Sequence, residues 1–231
     1  MSVPLKSGAL CETTRNDPPA LRPAYCSLNR RNAMRALLLS TSLCFCLASL
    51  AQAAPKTLKF DQGTATYTNR DAFASWEGNT SDIGGTLILD DQTGELVKGE
   101  IQIGLAAIDS GNGARDARMR GEFLQTEKYP KATFVVTKLE GFPSVAEWKK
   151  WGLKQTGKIH GDLTIKEVTR PVVFEAEAVY LGTELKVSGK GQTKMTDFGI
   201  SPPSLLFVTV DDAIGLKFQA VARPVSTNAG L

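Results

Sequence analysis

The 231-residue chain carries 27 basic and 24 acidic side chains, and its basic excess sits at one end. Without residues 1–53, 21 basic groups stand against 22 acidic ones, a formal charge of −1, which removes the electrostatic warrant for a nucleic-acid or anionic-membrane partner. All four cysteines (Cys11, Cys26, Cys44 and Cys46) lie in the same segment, so the rest of the chain has no disulfide, thiolate nucleophile or Cys-ligated metal.

In chain order, residues 1–33 are rich in Pro, Arg and Asn without apolar periodicity. They read as a mis-assigned extension of the start or a disordered leader, with Met34 as the true beginning. Residues 34–53 read as a cleavable secretory signal peptide. Arg30, Arg31 and Arg35 precede an apolar stretch from Leu37 to Leu50, which ends in Ala51-Gln52-Ala53, the small-x-small pattern that signal peptidase recognises. Four hydroxyl residues interrupt that stretch, and it is shorter than the roughly 20 apolar residues of a bilayer span. The working chain, residues 54–231, is then one exported domain of a size that buries its own core.

Beyond Ala54 the dominant period is two, the mark of strands with one buried face. It is weak at Ala72–Trp76 and Gly85–Leu89, and firmer at Glu100–Leu105 and Thr133–Leu139. It recurs at Ile159–Ile165 and is clearest in Val172–Tyr180, Leu185–Met195 and Ile214–Ala222. Turn residues separate these runs, and charged residues fill whole outer faces. The expectation is an all-β, antiparallel domain in water, curled into a barrel or stacked as a sandwich. A membrane barrel would put its apolar face outward.

Two helices interrupt the strands. Ala114–Leu124 follows a Ser110-Gly111-Asn112-Gly113 turn and places Met119 and Phe123 four residues apart. Ser144–Lys150 opens with Ser144 and Glu147 in capping-box spacing and brings Val145, Trp148 and Trp151 to one face. Those rings either close the core or meet a membrane or partner, and the first is the commoner role for aromatics at this spacing.

Catalytic parts are scarce. The one histidine, His160, alternates with the apolar side of its strand and points outward. With no second histidine and no cysteine beyond residue 53, nucleophilic triads and zinc sites lack components. No carboxylate pair is singled out by spacing, and Asp197-Phe198-Gly199 matches a kinase tripeptide without any of the surrounding kinase motifs.

At residues 108–136 the sequence becomes recognisable. Ile108-Asp109-Ser110-Gly111-Asn112, Arg115-Asp116, Met119-Arg120, Phe123-Leu124, Tyr129-Pro130 and Thr133-Phe134 are followed by Gly161-Asp162-Leu163-Thr164-Ile165, Val168-Thr169-Arg170-Pro171-Val172 and Asp197-Phe198-Gly199-Ile200. In this order they resemble the motifs of the YceI family. The resemblance implies a lipocalin-like antiparallel β-barrel of about eight strands with one or two short helices. It also implies a periplasmic location and an amphiphilic lipid in the bore: a polyisoprenoid, an isoprenoid quinone or a fatty-acyl chain. Phe134, Leu163, Phe174, Val187, Met195, Phe198, Phe207 and Phe218 are the candidate bore residues, either lining a cavity or filling it. Arg115, Asp116, Arg118 and Arg120 are the candidate head-group residues, with Arg115 and Asp116 alternatively fixing the helix to the sheet. The family often has His at Arg118, Thr at Ser110, Gly at Glu167 and a basic residue at Met195, and residues 142–153 resemble an insertion able to reshape the entrance.

The expected role is non-enzymatic lipid binding or transport, with no catalytic residue, no metal, no cofactor besides the bound lipid, no nucleic acid and no membrane span after cleavage. A homodimer is compatible with it. The rivals are an envelope structural or interaction protein using the Trp148/Trp151 helix, and a lipid-modifying enzyme built on carboxylates.

Overall fold

Hydrogen-bonded alternation of inward apolar and outward polar residues accounts for nearly all of the architecture. The computed structural model describes residues 55–90, 93–143, 147, 154–205 and 207–225. The segments expected to be a leader and a signal peptide, and Trp148 and Trp151 at the expected second helix, lie outside these residues.

Eight antiparallel strands close a barrel: β1 (Lys56–Arg70), β3 (Ile83–Leu89), β4 (Leu96–Gly104), β5 (Lys131–Glu140), β6 (Gln155–Ile165), β7 (Val168–Tyr180), β8 (Leu185–Lys194) and β11 (Ala213–Pro224). Closure comes from β11 pairing with β8 on one side and β1 on the other, from Leu58 opposite Pro224 to Thr68 opposite Gly215. This settles barrel over sandwich. β2 (Ser75–Thr80) extends the wall by pairing with the second half of β1, while the first half pairs with β3. A small hairpin, β9 (Ser204–Leu205) and β10 (Val208–Thr209), stands in the connection between β8 and β11.

The strand expected over Ala72–Trp76 is corrected. Residues 71–74 form a turn, because the Asp71 carboxylate accepts the N–H groups of Phe73 and Ala74, both at 2.8 Å, and pairing resumes only at Ser75. β1 itself, fifteen residues long, has no continuous alternation. A bulge at Asp61 shifts its phase, so Leu58 and Phe60 face inward before it, and Ala65, Tyr67 and Asn69 after it. Arg223 of β11 clamps this bulge, donating to Asp61 at 3.0 Å and to Gln62 at 3.1 Å.

The first expected helix is present as α1 (Gly113–Arg118), widened over Met119–Leu124 into a π-helical turn. Asn112 caps it by accepting the Arg115 N–H at 3.0 Å, and Gln125 ends it in the left-handed region at φ 52°. Met119, Phe123 and Leu124 pack from it against the top of the core.

The two ends of the barrel differ. At one, the last residues of β3, β5 and β7 surround a plug of Leu58, Leu89, Ala178, Leu185 and Ala222, none more than 5% exposed. At the other, α1 and its π-turn, the 71–74 turn and the β9–β10 hairpin surround an opening. Glu140 and Gln155, which bracket the insertion-like segment, belong to the plugged end, opposite α1.

Candidate functional site

The barrel interior holds a cavity of about 900 Å³, open toward α1 and lined almost wholly by apolar side chains. Its wall shows how such space survives in a sheet this rich in phenylalanine. The rings of Phe134, Phe174 and Phe218 form an edge-to-face chain, with centroids 5.3 Å apart at both steps and interplanar angles of 90° and 80°. Each ring lies over a glycine of a neighbouring strand: Phe134 over Gly161, Phe174 over Gly191 and Phe218 over Gly189. A Cβ on Gly189 would sit 2.5 Å from Phe218 Cε1, so the missing side chains let the rings lie along the wall instead of projecting across the bore.

Leu163, Val187, Met195 and Phe198 also line the cavity. Phe198, 2% exposed, is carried in by a 3₁₀ turn at Thr196–Phe198. Asp212 holds that turn by accepting the Thr196 N–H at 2.9 Å and its hydroxyl at 2.7 Å. These bonds keep the Asp212 carboxyl below its ordinary value. Phe207 reaches the cavity only at its outer rim. It sits at the tip of the β9–β10 hairpin, outside the closed wall, and is fully exposed on the rim. A two-stranded hairpin has no facing sheet to bury it.

At the mouth the four polar candidates have different surroundings. Asp116 is 3% exposed. It accepts the Ser110 hydroxyl at 2.5 Å and the Ser110 N–H at 3.1 Å. Burial works to raise its pKa, but the Ser110 hydrogen bonds with the Arg120 and Arg115 charges outweigh it, and the net direction is downward. Arg115 is held by the Ser110 hydroxyl at 2.8 Å and carbonyl at 3.0 Å, with its guanidinium 4.9 Å from the centre of the Trp76 ring. Arg120 donates to the Ile108 carbonyl at 3.1 Å. Arg118 differs: half exposed, it meets only its helical neighbour Glu122 at 3.0 Å and lies over Phe123, on the lip of the cavity.

Three groups that sequence reading missed complete the mouth. Tyr67, Asn69 and Trp76 project from β1 and β2 into the same opening. The Tyr67 hydroxyl bonds with Ser110 and Trp76, and burial raises its pKa, opposed by Arg115 and reinforced by Asp116. The Tyr67 ring covers Gly78, and this Tyr-opposite-Gly pairing was the available signal, hidden by the phase shift in β1. Of the departures from the family pattern, Glu167 bonds with Tyr129 and lies 3.6 Å from Lys128, tying the β6–β7 turn to the loop after the helices. His160 faces out from the wall, its Nε2 3.2 Å from Glu140 Oε2. Among the described residues there is no cluster of three or more metal-ligating side chains, and no helix long and apolar enough to cross a membrane.

Residues 56–222 match the family model of the YceI-like domain. Protein YceI of Escherichia coli O157:H7 is 32% identical over 134 residues, 54% of this chain, and the match spans 64% of that relative's length. A protein of Shewanella oneidensis is likewise 32% identical over 132 residues, 53% of this chain and 63% of its own. Among solved structures, a polyisoprenoid binding domain from Saccharophagus degradans superposes with a TM-score of 0.56 at 13% identity, covering 73% of this chain and 98% of that one. Burkholderia cenocepacia BcnA gives 0.55 at 20% identity over 69% and 95%, and the Campylobacter jejuni YCEI protein 0.51 at 25% over 64% and 84%. The distant pairs speak for the fold, and the family model spans the barrel from Lys56 to Ala222 of β11: the chain belongs to the YceI family.

Proposed function

We propose that this protein binds the apolar chain of an amphiphilic lipid in its barrel and carries it through the periplasm without chemical change. The observation behind this reading is the roughly 900 Å³ apolar cavity, plugged at one end and open at the other. At about 30 Å³ for a water-sized or methylene-sized group, it holds on the order of thirty such groups. That favours a polyisoprenoid or isoprenoid-quinone tail over a single ordinary fatty-acyl chain. At ~0.8 kcal/mol per buried methylene, about ten groups offer on the order of 8 kcal/mol before ordering costs. The head group stays at the mouth, where Arg118, half exposed on the lip of the cavity, suits an anionic group. The description of the Saccharophagus neighbour as a polyisoprenoid binding domain agrees with this class of ligand.

Export belongs to the same proposal. Residues 34–53 direct secretion and are removed, and the protein then provides a soluble container for a chain that water would not dissolve. Protein purified from its own host, examined by native mass spectrometry and then solvent-extracted, yields a stoichiometric long-chain lipid, and N-terminal sequencing starts at Ala54. An empty barrel in every preparation overturns the carrier reading, and a terminus before Ala54 overturns the cleavage site.

A further inference from the structure

Seven large apolar side chains are exposed among the described residues, and two stand apart: Phe73 at 83% and Phe207 at 101%, against 40–61% for the rest. Both border the open mouth of the cavity. We infer that this aromatic rim is the surface on which the protein docks to a lipid bilayer, bringing the mouth against the membrane for transfer of the chain. The inference rests on the carrier reading above and adds the partner.

Neither ring is exposed through looseness of its support. The Phe73 turn is tied by the two Asp71 hydrogen bonds and by the Asp71 N–H to the Ala74 carbonyl at 2.9 Å. The Phe207 hairpin is closed by paired β9 and β10 and by the Val210 N–H to the Pro203 carbonyl. The two loops are joined at their bases, where the Asp211 N–H donates to the Arg70 carbonyl at 2.9 Å and Arg70 Nε to Asp211 Oδ2 at 2.6 Å. The result is a braced pair of aromatic wedges.

The occupant follows from shape and continuity. The rings extend the apolar lining of the cavity outward without a break in character, so a chain leaving the bore for acyl tails crosses little water. The exposed arginines of this region are paired, Arg70 with Asp211 and Arg118 with Glu122, so the contact is carried by the rings rather than by net charge. A protein partner needs a contiguous face of roughly 800 Å². A rim around a hole offers a flat bilayer contact more readily than such a face.

The test uses the exported protein and vesicles of phosphatidylethanolamine and phosphatidylglycerol, read by co-sedimentation. The wild type binds, and the double variant Phe73→Ser/Phe207→Ser loses at least tenfold in partitioning while its melting curve stays unchanged. Equal binding by the double variant overturns the docking surface. A wild type that carries lipid but never binds vesicles also overturns it and leaves the carrier reading standing. Vesicle binding lost in the double variant, with no lipid ever found in the barrel, upholds the docking surface and overturns the carrier reading. Self-association abolished by the double variant, without vesicle binding, assigns the rim to a second copy and overturns the bilayer.

Discussion

The carboxylate of Asp116 takes two hydrogen bonds from one residue, Ser110, whose hydroxyl approaches Oδ1 to 2.5 Å and whose N–H approaches Oδ2 to 3.1 Å. Arg115 binds the same serine from the other side. The pair joins the loop after β4 to α1, so a buried charge sets the position of one wall of the cavity mouth.

Asp116→Asn presents an amide N–H₂ to one of these donors and leaves Arg115 and Arg120 without their counter-charge. A loss of about 1–3 kcal/mol, the usual cost of an unsatisfied buried group, is expected in urea unfolding. The folded pKa of Asp116 is depressed, so its contribution is full above the ordinary aspartate value of about 3.9 and is lost as pH falls through the lower folded value. The stability gap between wild type and variant therefore narrows on acidification. A gap that is constant from neutral pH down to the acid transition contradicts this assignment.

Gly189→Ala puts a methyl 2.5 Å from the Phe218 ring, with the nearest backbone atom, the Glu175 carbonyl, at 3.3 Å. The ring is the part able to move, and it moves into the bore. The variant folds with a penalty of about 1–3 kcal/mol from the imposed rearrangement and retains less lipid per protein on extraction. Unchanged lipid content would show that the glycine-backed wall does not set the free volume.

Ile103→Trp fills the bore from β4, where Ile103 lines the cavity without being fully buried. Extraction recovers little or no lipid, while the melting temperature stays within a few degrees of wild type. A lipid-loaded variant places the ligand elsewhere.

Arg115→Ala and Arg118→Ala separate scaffold from head-group contact. The first removes two hydrogen bonds and a stacked cation and lowers stability by about 1–2 kcal/mol. The second leaves the urea midpoint in place, since Arg118 is half exposed, and weakens retention of lipids with anionic head groups. The opposite pattern, with Arg118 destabilising and Arg115 selective, would reverse the two roles.

Legibility followed the regularity of the strands. β7, β8 and β11 alternate without interruption, and their inward sets, such as Val172, Phe174, Ala176 and Ala178, are the ones the barrel buries. β1 was hidden because one extra residue at Asp61 moves its inward set from even to odd positions, and Thr64, Thr66 and Thr68 blur what remains. Tyr67 and Asn69 were lost from the mouth for the same reason. The rim position of Phe207 was not legible because apolar character marks a residue that gains by burial, not one that the chain path is able to bury.

Sequence alone determined the all-β class, the helix after β4, the outward histidine and the family, because period, turn chemistry and motif order are local properties of the chain. Tertiary structure decided closure, since the β1–β11 pairing joins residues more than 140 positions apart. It also decided that the bore is open, because whether a phenylalanine fills a cavity or lies along its wall depends on the glycine in the next strand. It also brings Arg115 to Ser110 and the Trp76 ring and Arg120 to the Ile108 carbonyl, contacts that spacing along the chain does not reveal.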